Sequence, residues 1–246
     1  SKDTSTIEQT FEKNGAITHA SLGNHTLTYT LDCLNEDSEE LSKLFFETFF
    51  DGTFTNEHLN EEKRKLNNII KQRDDSWFSN NNYTFKKSYW GKHPYALPAT
   101  GEIKSMNTLS KEDISFYLTQ LFNPNQMIIS IYGNINKQKL IKEINKYNDK
   151  LTSKPTKTPP TLPKPKPKPK SKTQNLHHKF DTSSLFMGFE APPLSNTEEK
   201  LKVDLLDAVL TGMSYPGGRL HTKLRDKGYV YLIHGINFNG INAGSF

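Results

Sequence analysis

Proline and lysine alternate strictly over 163–170, PKPKPKPK, and this run forbids regular structure in the middle of the 246-residue chain. Each proline removes a backbone donor and fixes φ. Like charges on alternate residues stretch what remains, so a semi-rigid polyproline II spacer is expected. The wider segment 152–173 holds seven lysines and no acid. Taking those seven from the net charge of +5 leaves −2 for the rest, so the basic character belongs to the linker and not to a folded surface. No aromatic side chain is interleaved for bases to stack on. The segment therefore reads as a solvated connector, with no nucleic-acid or acidic-lipid partner. It divides the chain into an α+β region at 1–150, a Lys/Pro-rich linker at 151–173 and a second α+β region at 174–246.

Both flanking regions carry enough large apolar side chains for a core. The hydrophobic fraction is 33% and the aromatic fraction 11%, and each ring buries a large area. No apolar run is long enough to cross a membrane. Cys33 is the only cysteine, so no internal disulfide forms, and its strand pattern makes it a small buried hydrophobe. The chain starts at Ser1 without methionine and stops at INAGSF with alternation still running. It is expected to be part of a longer polypeptide, and the missing targeting signal carries no weight.

Before the linker, ITHASLG (17–23) and HTLTYTLDCL (25–34) predict a strand pair, with Leu27, Tyr29, Leu31 and Cys33 alternating onto one face. Leu41, Leu44, Phe45 and Phe49 predict a helix over 38–50, and a second covers about 56–73. A third begins at Ser110, with Asp113 at the third helical position and Leu109 and Ile114 able to staple across the cap. Its apolar stripe is Ile114, Tyr117, Leu118 and Leu121. QMIISIYG (126–133) reads as a strand buried on both faces, followed by a helix with Leu140, Ile141 and Ile144. After the linker, SLFMGFEAP (184–192) reads as a strand and 197–210 as a helix with Leu201, Leu205, Leu206 and Val209 on one side. GGRLHTKLRDKG reads as a glycine-led short helix, and YVYLIHGINF (229–238) as another strand.

The chemistry is sparse. No glycine-rich phosphate loop and no nucleophile elbow is present. His177 and His178 are adjacent, and neighbours on a strand face opposite ways, which makes them poor joint ligands. HLNEE (58–62) supplies His and Glu at helical spacing, but Glu62 stands where a zinc motif needs a second His, so a charged helix face is the better reading. GKHPYALPATG (91–101) is a connector with a turn, two prolines and aromatic anchors, more than a plain loop needs.

Taken together, FEKNGAITHASLGNHTLTYTLDCL, the leucine/phenylalanine helix, FTNEHLNEEKRKLNNIIKQRDD, GKHPYALPATGEIKSMNTLSKEDISFYLTQLFNPNQMIISIYGNIN and GGRLHTKLRDKGYVY resemble the M16 peptidases, the family of pitrilysin, insulysin and mitochondrial processing peptidase. The resemblance implies two homologous α+β domains, each an antiparallel sheet packed with helices. The N-terminal part of the first and the C-terminal part of the second would be missing. It also implies zinc, held in the family by an inverted HxxEH motif that would lie upstream of Ser1. A further Glu ligand sits on a later helix, with another Glu seven positions before it. The earlier Glu matches Glu62 and the ligand position matches Ile69; a register one residue off would give Asn68. Isoleucine ligates nothing, so this stretch is similar to a metal helix without its ligand, and zinc is not expected to be bound here. The family's substrate-holding Arg and Tyr match Arg225 and Tyr231, with Tyr229 as the alternative.

Three functions follow from the resemblance. The first is a zinc-lacking half that closes a peptide-degrading chamber and binds peptide for a zinc-carrying partner half. The second is an active zinc metalloendopeptidase with HxxEH upstream and Glu61 or Glu62 completing the metal. The third is a non-enzymatic structural subunit. The linker reading makes its own prediction. Against a labelled DNA duplex at low salt, deleting residues 152–173 should leave the binding isotherm of the chain unchanged. Binding that disappears with the deletion and falls steeply with salt would instead make the lysines a nucleic-acid contact.

Overall fold

The computed structural model of the protein describes residues 4–121, 123–147, 161–165, 172–177, 179–213, 215 and 217–246. Most of the proposed polyproline spacer, and His178, lie outside the described residues. The elements in order are α1 (Thr4–Lys13), β1 (Ile17–Leu22), β2 (Leu27–Asp32), α2 (Ser38–Asp51), α3 (Asn56–Asp75), α4 (Trp77–Trp90), α5 (Ile103–Thr108), α6 (Lys111–Leu121), α7 (Lys137–Asn145), β3 (Glu190–Ala191), α8 (Thr197–Thr211), β4 (Phe238–Asn239) and β5 (Gly244–Ser245). Their contacts divide into two compact units, Ser1–Lys71 with Ala99–Pro159, and Gln72–Pro98 with Pro160–Phe246. The mixture of helices and small antiparallel sheets is the α+β class expected from the sequence.

In the first unit, β1 and β2 form an antiparallel ladder with Ile17 opposite Asp32 and Leu22 opposite Leu27. The alternation in β2 does what period two dictates. Tyr29 stacks on Phe45 at 4.4 Å and on Phe49 at 5.8 Å between centroids. Leu31 and Cys33 pack against Phe11, Ala16, Leu41 and Leu44. Burial, followed by the nearby Asp37 and Asp32 carboxylates, pushes the Cys33 thiol pKa up. The sequence pattern missed α1, which delivers Phe11 to this core.

Helix starts follow local chemistry. Thr55 Oγ1 accepts the His58 N–H at 3.2 Å at the head of α3. At the head of α6 the expected reciprocal cap is formed. Asp113 N–H donates to Ser110 Oγ at 3.1 Å, and Ser110 N–H donates to Asp113 Oδ2 at 2.9 Å. Those bonds to Ser110 hold the Asp113 carboxyl below the usual range.

The second unit is built on α4, which the pattern did not predict. Ser76 Oγ accepts the Ser79 N–H at 3.4 Å as its cap. Phe85 stacks on Tyr89 at 5.5 Å, and Phe186 stacks on Phe85 at the same distance. The chain crosses these rings at Gly188, where a Cβ would come within 2.5 Å of Phe85, so only glycine lets the backbone this close. β5 lies between β3 and β4, antiparallel to both.

Three strand expectations fail. Residues 127–132 form no strand, and Ile128 is 94% exposed. Of 184–192 only Glu190–Ala191 forms a strand, flanked by Phe189, which exchanges both backbone hydrogen bonds with Phe246, and of 229–238 only Phe238 does. The reason is common to all. An apolar run becomes a strand only when a neighbour satisfies its N–H and C=O groups; among the described residues no strand pairs with 127–132, and the β5 segment runs beside only the C-terminal ends of the other two. α8 forms as expected, but Leu201, Leu205, Leu206 and Val209 on its apolar side are exposed. Likewise no side chain of α6 is fully buried, and Tyr117 of its stripe is exposed.

Leu41 has no exposed surface. Leu41→Ala should therefore destabilise the first unit by about 2–5 kcal/mol, read as a lower urea midpoint at unchanged m-value. Leu201→Ala, on the exposed side of α8, should shift the midpoint by well under half of that.

Candidate functional site

Residues 62 and 69 are two turns apart on α3, so they share a face. That face is exposed. Glu61, Glu62, Lys65, Asn68 and Ile69 all lie on solvent, while the next residue, Ile70, is buried. Lys65 Nζ sits 3.1 Å from Glu61 Oε1 and 2.7 Å from Glu62 Oε1. Hydrogen bonding to Lys65 lowers the pKa of Glu61, and the two carboxylates together raise that of Lys65. Ile69, 46% exposed, places an aliphatic surface beside them.

This arrangement does not fit zinc. Among the described residues no three His, Cys, Asp or Glu side chains are grouped to hold a metal. Glu61 and Glu62 are tied to an ammonium rather than converging on a vacant centre. His58, the histidine of HLNEE, is exposed on the same helix, and His177 is exposed elsewhere. The other side of α3 borders an open polar cleft of about 610 Å³ lined by Glu57, Asn60, Lys63, Arg64, Asn67 and Asn107. Lys63 Nζ closes one end by donating to the Leu109 carbonyl. Neither the cleft nor its lining was singled out by sequence, since Asn107 comes from α5.

In the second unit the glycine-led segment forms one turn of π-helix, His221–Arg225. It ends in a Schellman turn. Tyr229 N–H donates to the Leu224 carbonyl at 3.0 Å and Gly228 N–H to the Arg225 carbonyl at 2.8 Å. Gly228 has φ +74°, which the turn requires and other side chains resist. The reversal brings Tyr231 back beside Arg225, with the guanidinium carbon 6.0 Å from the ring centroid. That is the outer reach of a cation–π contact. Tyr231 is 85% exposed, so it is no core tyrosine, and Arg225 is exposed with it. No carboxylate is paired with Arg225 among the described residues. Tyr229 is exposed too, but 229–231 is not a strand, so the two tyrosines do not share a strand face.

The GKHPY connector also belongs to the second unit, and its anchors converge. Trp90 packs edge-on against Tyr95 at 5.1 Å and Phe238 at 5.7 Å. His93 is 8% exposed; its Nδ1 accepts the Tyr95 N–H at 3.2 Å, and its Nε2 lies 2.8 Å from the Pro163 carbonyl oxygen. The sequence marked the connector as unusual but not its counterpart, Leu162 and Pro163 of the linker.

Comparison with known proteins gives the context. The family model for the "Peptidase M16 inactive domain" matches residues 108–246, and that for "Insulinase (Peptidase family M16)" matches residues 1–98. An uncharacterized zinc protease of Rickettsia felis is 21% identical over 242 residues, covering 98% of this chain and 57% of that protein. The peptidase M16 inactive domain from Pseudomonas fluorescens superposes with a TM-score of 0.81 at 20% identity, over 100% of this chain and 59% of that one. A protease from Helicobacter pylori superposes with a TM-score of 0.79 at 17% identity, over 100% and 59%. The chain thus spans less than two thirds of each of these relatives. With two adjoining family models that leave only residues 99–107 between them, it belongs to the M16 peptidase family.

Proposed function

We propose that this chain serves as the zinc-lacking half of an M16 peptidase, closing a peptide-degrading chamber and holding the substrate backbone for a zinc-carrying partner half. The observation that carries the reading is Ile69. An aliphatic side chain stands exposed on the face it shares with Glu62, where the resemblance calls for a carboxylate ligand. The chain's own residues would then contribute binding rather than bond breaking. The exposed Arg225–Tyr231 pair supports this, since a guanidinium and a phenol can each donate a hydrogen bond to a peptide carbonyl. The partner half, the zinc and the peptide are parts of the proposal. No step at a metal is assigned to residues of this chain.

Two measurements test it. The isolated chain should hold far less than one equivalent of zinc and hydrolyse no peptide. In a complex with a zinc-bearing half, kcat/KM for an unfolded peptide should fall roughly ten- to a hundredfold for Arg225→Ala, the value of one hydrogen bond involving a charged group, and roughly two- to tenfold for Tyr231→Phe, the value of a neutral one. Stoichiometric zinc with activity in the isolated chain would overturn the reading in favour of a complete peptidase. Unchanged kcat/KM in both variants would leave a scaffold.

A further inference from the structure

The net −2 of the chain outside its linker conceals a segregation of charge. Residues 212–246 hold four cations, Arg219, Lys223, Arg225 and Lys227, and a single acid, Asp226. Taking the +3 of this stretch from −2 leaves −5 for everything else outside the linker. The backbone packs the four cations closely. Arg219 and Leu220 are helical and lead into the π-turn His221–Arg225. Thr222 N–H donates to the Gly218 carbonyl at 3.2 Å, and Asp226 N–H donates to the His221 carbonyl at 3.0 Å. With a rise of about 1.5 Å per residue, a helical segment running from Arg219 to Lys227 is no more than about 12 Å long. His221 is buried and Leu224 half-buried, whereas all four cations are exposed.

On the preceding helix the lysines are neutralised locally. Lys200 pairs with Asp204, and Lys202 pairs with Glu198 and Glu199. Among the described residues no carboxylate is paired with Arg219, Lys223, Arg225 or Lys227. Arg219, Lys223 and Lys227 recur every four residues, a spacing at which like charges on a helical segment repel. Salt screens charges over about 8 Å at physiological ionic strength, which is comparable with the spacing here, so the four fields add above the exposed surface. An anion from outside relieves the repulsion. Tyr229 and Tyr231, 73% and 85% exposed, add ring surface at the end of the segment.

We propose that this segment selects acidic peptides: Arg225 and Tyr231 hold a backbone carbonyl while Arg219, Lys223 and Lys227 take up Asp or Glu side chains of the same peptide. The selection rests on the substrate-holding role given above to Arg225 and Tyr231. An extended peptide advances about 3.3 Å per residue, so a cationic segment of about 12 Å faces about four of its residues. The preferred substrate therefore clusters its carboxylates within such a window. A polynucleotide also carries closely spaced anions. Membership in a peptidase family and a guanidinium–phenol pair suited to a peptide carbonyl favour the peptide.

The test is fluorescence anisotropy of the full chain with two labelled unfolded peptides, identical except that a pair of nearby Glu residues in one is Gln in the other. At low salt the Glu peptide should bind roughly three- to tenfold more tightly, the yield of two exposed ion pairs, and the ratio should shrink toward one at high salt. Lys223→Gln with Lys227→Gln should bring the ratio close to one at low salt, with an unchanged urea midpoint showing that the fold is intact. Tyr231→Phe removes a hydrogen bond without removing charge, so it should weaken both peptides by the same factor and leave the ratio in place. Equal binding of the Glu and Gln peptides, each weakened by Tyr231→Phe, would overturn the acidic selection and leave the substrate-holding role standing. Peptide binding that Tyr231→Phe and Arg225→Ala both leave untouched would remove that role and the selection with it. A Glu-to-Gln ratio unmoved by the double lysine variant would also overturn the proposal, as would a single-stranded oligonucleotide that displaces the Glu peptide more effectively than the unlabelled peptide does.

Discussion

Backbone N–H and C=O groups that leave water must find partners, and this constraint governs where the chain is ordered into regular structure. A helix carries nearly all of its partners within itself and needs only its ends closed. Ser76, Ser110 with Asp113, and the Schellman turn at Gly228 supply that closure locally. A strand carries none. β2 is a strand because β1 runs beside it over six residues, and its Tyr29 ring then docks on α2. The equally apolar stretch 127–132 has no such neighbour among the described residues and stays irregular. The two units thus have helices that reach full length and sheets that remain small.

The same contrast separates what was legible in the sequence from what was not. α2, α3, α6 and α8 announce themselves through periodicity and caps, which act over a few residues. The face of β2 was legible for the same reason. α4 was not, because SNNNYTF offers polar residues with poor helix propensity, and Phe85 and Trp90 draw partners from Phe186 and Phe238, far along the chain. The failed strands mark the opposite error. β-branched, apolar composition reports a readiness to pair, not the presence of a neighbour.

For the site, the sequence supplied residue types and the fold supplied exposure. Glu62 and Ile69 could be placed on one helical face from their spacing. That this face meets solvent, with Lys65 bridging Glu61 and Glu62, required the packing of Ile70 on the other side. Arg225 and Tyr231 are six positions apart, a separation with no fixed meaning until Gly228 reverses the backbone between them. The cradle around His93 was the least legible, because half of it is contributed by a linker whose composition suggests only solvation.

Cys33, the chain's single thiol, has a chemical consequence of its own. Its sulfur lies partly under the Leu41–Leu44 layer, and both burial and the Asp37 and Asp32 carboxylates oppose the thiolate. Thiol–disulfide exchange and peroxide oxidation proceed through the thiolate. Burial first, and the two aspartates after it, therefore disfavour the thiolate through which this cysteine would crosslink to a second thiol under oxidising conditions.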